Sequence, residues 1–143
     1  MSYDLIFLPR GSDQTWQDAL DAAELDEVYG GPLPSDDWRS IIELASTQLP
    51  HCRDTSNVER NALEDDDTGI ELSATLVEAG LSVPYWHTGE AAARIIRTMY
   101  LLGEGISRLT GLAGFDQQTN MPATVENTEY AIRIYEEHVR SIH

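Results

Sequence analysis

Hydrophobic and polar positions alternate most clearly between Thr68 and Gln117. Ile70, Leu72, Ala74 and Leu76 alternate with Glu71, Ser73 and Thr75, the period-two pattern of a strand with one buried face. Glu78-Ala79-Gly80 places a glycine where a three-residue hairpin loop needs a left-handed residue. Leu81, Val83 and Tyr85 then resume the alternation, so the pattern predicts a β-hairpin. From Thr88 the period lengthens to that of a helix, with Ala92, Ile95, Ile96, Met99, Leu102, Ile106 and Leu109 on one stripe. Thr88 suits its N-cap, Glu90 its first turn and Gly111 its left-handed end. Gly103 and Gly105 each cost a helix about 1 kcal/mol relative to alanine. They point to close packing on another backbone, or to a helix that stops near Gly103. Leu112 to Phe115 reads as a short last strand.

The flanking segments complete the plan. Tyr3 to Leu8 is nearly all apolar and closed by Pro9, the signature of a central strand. Ser12 or Asp13 can cap a first helix with Trp16, Ala19, Leu20 and Ala23 inward and Asp18, Asp21, Glu24, Asp26 and Glu27 outward, ending by Gly30-Gly31. Ser35 can cap a second with Trp38, Ile41, Ile42, Ala45 and Leu49 inward, the two helices forming one layer. Residues 50–67 lack periodicity, end in Glu64-Asp65-Asp66-Asp67 and read as a flexible acidic loop. Thr124 caps a final helix with Ala131, Ile132, Tyr135, Val139 and Ile142 on its apolar side. The expected fold is one α+β domain over 1–143. It is ferredoxin-like, βααββαβ, with a four-stranded mainly antiparallel sheet, helices on one face and an added C-terminal helix. Pro84 removes a ladder donor, which requires it to lie at a strand end or a bulge, or requires a different strand order.

Charge changes the picture of what such a fold can meet. Twenty-five acidic residues against nine basic ones give a net charge of −16, and every basic residue apart from histidine is arginine. That surface disfavours nucleic acid and anionic membranes and suits a basic protein partner. Acidic charge also serves solubility or salt adaptation without any partner. The missing lysine excludes phosphate-loop and Schiff-base lysine chemistry. No apolar run approaches the ~20 residues of a membrane span, and Met1-Ser2-Tyr3-Asp4 does not open a signal peptide, so a soluble cytoplasmic protein is expected. The single Cys52 fits a reducing compartment.

No catalytic motif is present, and His51, His87, His138 and His143 have no metal-ligand spacing, so neither an enzyme nor a metal or cofactor is expected. His51-Cys52-Arg53-Asp54 lacks an orienting third residue for nucleophilic chemistry. The most distinctive patch is Pro84-Tyr85-Trp86-His87, near the position where Asp116-Gln117 emerges if their strands are neighbours. Trp86 falls opposite Leu81, Val83 and Tyr85, which either buries it under the final helix, the expected outcome, or exposes it as a contact. Trp86, His87, Asp116 and Gln117, with Asp65, Asp66 and Asp67, are the candidate binding residues.

Ser2-Tyr3-Asp4-Leu5 with Pro9, Val83-Pro84-Tyr85-Trp86 and Gly111-Leu112 followed by Phe115-Asp116-Gln117 resemble a group of small bacterial proteins, some of them similar to immunity proteins of polymorphic toxin systems. The resemblance covers the first strand and about residues 70 to 117. It implies a stoichiometric binder that blocks a toxin, with no catalytic residue. Two other readings remain open: a ferredoxin-like domain that binds or senses a small molecule, as monomer or homodimer, and an enzyme with scattered acid-base groups.

Overall fold

The computed structural model describes residues 1–25 and 31–142. Its seven strands are β1 (Ser2–Leu8), β2 (Arg53–Asp54), β3 (Asn61–Glu64), β4 (Glu71–Ala74), β5 (Ala79–Pro84), β6 (Ala113–Asp116) and β7 (Met121–Pro122). They form one sheet in the order β2-β3-β4-β5-β1-β6-β7, with every neighbouring pair antiparallel. The helices are α1 (Trp16–Leu25), α2 (Ser35–Gln48), α3 (Gly89–Thr110) and α4 (Thr128–Ile142). The α+β class stands, whereas the expected four strands become seven. No helix among the described residues is long and apolar enough to cross a membrane.

The alternation sorts the sheet into two faces. Tyr3, Leu5 and Phe7 of β1 share one side with Leu81 and Val83 of β5 and Leu72 and Ala74 of β4. That side meets α2, α3 and α4 in a single core including Trp38, Ile41, Ile96, Met99, Ile106, Ala131 and Tyr135. The glycines of α3 do not end the helix. A Cβ at Gly103 would lie 3.0 Å from Phe7, and one at Gly105 would lie 2.0 Å from Leu44. They admit neighbouring side chains, where a backbone had been expected.

The opposite side carries Asp4, Ile6 and Leu8, and here α1 departs from the one-layer expectation. Trp16 stacks on Phe115 with ring centroids 4.7 Å apart, and Phe115 is paired with Ile6. With Leu8 and Ala19 these residues make a small second core under α1. Helices therefore lie on both faces, with α1 covering only the β1–β6 end of the second, because Leu8 and Phe115 put apolar surface there. The expected outward Asp26 and Glu27, the helix end at Gly30, and the side chains of Ala23 and Glu24 lie outside the described residues.

Three further expectations are corrected. Residues 50–67 contain β2 and β3: Leu63 is buried and paired with Leu72, and one large apolar residue was too little signal for a strand. The β4–β5 turn lies at Thr75–Glu78, where the Thr75 hydroxyl accepts from the amides of Val77 and Glu78 at 3.3 Å each. Gly80 is consequently inside β5, opposite Ile6 and Ser73, and Leu76 is exposed in the turn. Val125–Asn127 form a 3₁₀ turn before α4, so that helix starts later than Thr124 implied. Pro84 is the last residue of β5, paired with Ser2, one of the places a strand proline can occupy.

Candidate functional site

Antiparallel pairing lines up a transverse row on the side facing away from α2, α3 and α4. Arg53 pairs with Glu64, Glu64 with Glu71, Glu71 with Ser82, and Ser82 with Asp4. Like charges directly opposed across strands repel, and Glu64 faces Glu71 in this way. Arg53 compensates one side only, with Nη2 at 3.1 Å from Glu64 and 3.1 Å from Asp66. The Glu71 carboxylate has no hydrogen bond or ion pair with any described residue, and Glu71 lines the hollow that the sheet leaves open.

That hollow has two adjacent parts with a shared wall. The larger, about 440 Å³, lies over β3, β4, β5 and β1, with Asp4, Glu71, Glu78 and Gln117 among its walls and Arg60 as its cation among the described residues. The smaller, about 300 Å³, is bounded by Ser2, Asp66, Gly69, Pro84 and Trp86, and shares Glu64, Glu71 and Ser82 with the first. Trp86 stands at this end, 66% exposed, on the face opposite Val83 and Tyr85. It is not under α4, contrary to the expected burial. The left-handed Gly69, φ +79°, holds it there: a Cβ at 69 would sit 2.9 Å from the indole and 2.6 Å from the Pro84 ring.

The other candidate residues are spread over different roles. Gln117 borders the larger hollow, and Asp66 borders the smaller while holding Arg53. Asp67 accepts from His51 Nδ1 at 2.7 Å, which raises the His51 pKa above its ordinary value. Asp65 is buried and fastens its own turn, accepting from the Thr68 amide at 3.0 Å and the Thr68 hydroxyl at 2.6 Å. His87 Nε2 donates to the Thr68 carbonyl at 2.8 Å, tying the end of β5 to that turn.

Asp116 is withdrawn from any partner, with no exposed surface. It faces the main core, where one carboxylate oxygen accepts from the hydroxyls of Tyr3 and Tyr100, the latter at 2.5 Å. The other accepts from the Gln118 amide at 2.9 Å, the Gln118 side chain at 2.8 Å and the Thr119 amide at 3.2 Å. It is therefore a structural joint of β1, β6, α3 and the following turn. Burial, with Asp116 alongside, pushes the Tyr3 and Tyr100 hydroxyls far above the ordinary tyrosine range. Tyr85, stacked on Tyr135 at 5.1 Å and 3.1 Å from His138 Nδ1, is pushed up to about 12, first by burial.

Sequence reading missed Glu71 as a site residue, although the alternation had already set it apart from Leu72. No group of three or more histidine, cysteine, aspartate or glutamate side chains among the described residues could hold a metal ion. No protein-family model, curated protein or solved structure matches the chain.

Proposed function

We propose that this is an acidic binding protein of the immunity or inhibitor type, which neutralises a basic protein partner by presenting the part of its sheet that α1 leaves uncovered. The observation carrying this reading is a two-thirds exposed Trp86 beside Gly69, bordering a hollow that shares Glu64 and Glu71 with the larger one walled by Asp4 and Glu78. An exposed indole is a common anchor of protein interfaces, and a field of one sign speeds encounter with the opposite sign while suppressing wrong partners. The net charge of −16 extends that field beyond the hollow. A resemblance to immunity proteins gives the same direction.

The test is capture of basic proteins from a native lysate on the immobilised protein, in low and high salt. The expected result is a basic protein held at low salt, released as salt rises, and lost when Glu71 and Glu78 are both changed to glutamine. The same protein held equally in high salt and by the double variant would overturn the reading.

One observation favours a second reading. The inner strands run β6-β1-β5-β4 with α3 crossing from β5 to β6, an arrangement that supports a ferredoxin-like centre extended at both edges. Such a centre suits a small-molecule sensor, which predicts a thermal shift with a metabolite.

A further inference from the structure

We propose that the hollow between Trp86 and the Glu64–Glu71 pair seats an arginine side chain of an extended, basic segment of the partner. This rests on the preceding reading that the partner is basic, and it adds which cation is recognised and where.

The protein already binds guanidinium groups in both ways the seat would require. Arg10 lies over the Trp16 ring, 4.5 Å from its centroid. Arg53 is shared between Glu64 and Asp66, its Nε reaching Asp66 at 3.3 Å and its Nη2 reaching both carboxylates. At Trp86 the two components line one hollow, where Arg53 holds Glu64 and Asp66 and leaves the rest uncompensated: an open indole, and a Glu71 carboxylate with no partner among the described residues. The Glu64–Glu71 opposition leaves negative charge that Arg53 does not balance, so a second guanidinium relieves it. A planar guanidinium can stack on the indole while donating in the plane to a carboxylate, whereas an ammonium is a compact, strongly hydrated point charge. The seat is side-chain sized, about 300 Å³, and shares its Glu64, Glu71 and Ser82 wall with the larger hollow over four strands, where the rest of an extended segment would lie. Four strands span ~14 Å, the reach of about four extended residues. A second copy of this chain is the wrong occupant, since each copy carries −16.

The test is titration of the full chain with hexa-arginine, hexa-lysine and hexa-citrulline, followed by amide and indole NMR shifts at low salt. Hexa-arginine should move the Trp86 indole and the amides of β3 to β5 and bind about fivefold tighter than hexa-lysine, with hexa-citrulline silent. Trp86→Ala should abolish the arginine preference and leave salt-sensitive binding of both cationic peptides. Glu71→Gln should weaken both, and Arg60→Ala, which removes the cation from the larger hollow, should strengthen both.

Equal binding of the two cationic peptides, with shifts scattered over the helices, would overturn the arginine seat and leave the basic-partner reading standing. Failure of both to bind would overturn the two together. Shifts at Trp86 that follow protein concentration without peptide would assign the face to self-association and also overturn the seat.

Discussion

On the helix-covered side of the sheet an acid, Asp116, is encircled by tyrosine and amide donors and has no surface left. On the open side another acid, Glu71, faces a second glutamate across the strands and has no donor among the described residues. The aromatic groups divide in the same way: Tyr3, Tyr85 and Tyr135 pack edge and face against one another, while Trp86 lies open. Burial plus complete hydrogen bonding turns a carboxylate into a fold-defining joint, and exposure plus unrelieved repulsion leaves one uncompensated at the surface. Residue type alone does not distinguish the two cases.

The largest effect should separate the faces at once. Asp116→Ala strands the Tyr3 and Tyr100 hydroxyls in the core and should cost roughly 3 to 5 kcal/mol in urea unfolding. A loss under about 1 kcal/mol would make the joint incidental. Next comes alkali. The raised hydroxyl pKa values of Tyr3, Tyr100, Tyr85 and Tyr135 mean that folding favours their protonated forms. Their contribution is complete below about pH 10, the unfolded value, and is lost as pH rises through the folded ones. Tyrosinate absorbance of these groups should therefore rise together with unfolding, and ionisation in a chain that keeps its far-UV dichroism would contradict the burial.

On the open face the same measurement should register almost nothing. Trp86→Ala should stay within about 0.5 kcal/mol of the parent. Glu71→Gln should raise stability by a few tenths of a kcal/mol by removing an opposed charge, even as it weakens cation binding. A substantial loss of stability in either variant would assign that residue to the fold. The smallest effect is at the exposed His51–Asp67 pair. Its raised histidine pKa gives a contribution present below about pH 6.5 and lost as pH rises through the folded value. The melting temperatures of the parent and His51→Gln should accordingly differ slightly more near pH 5 than near pH 8.

Strands β1, β4, β5 and β6 and the long helix α3 were legible because their apolar positions keep a period for long enough, with Gly111 closing α3 in the left-handed conformation. Strands β2 and β7, two residues each, contain no period to read. Which face a helix takes is not a local property. Leu8 and Phe115 made the second face partly apolar, but only the β1–β6 register places them side by side for Trp16. Trp86 was placed on the correct side by alternation and wrongly buried, because no local signal says whether a helix lies over it. Asp116 followed by two glutamines looked like surface, and its partners Tyr3 and Tyr100 are 113 and 16 positions away.

The position of β1 between β5 and β6 bears on how the chain comes into being. β1 is held on both sides by segments made far later, so on the ribosome its two rows of backbone donors and acceptors await partners more than 70 residues downstream. Until residues 113–116 emerge, Tyr3, Leu5 and Phe7 have no finished core to enter, and the nascent chain offers a sticky ribbon to chaperones and to its neighbours. Closure of the sheet around β1 waits for β6.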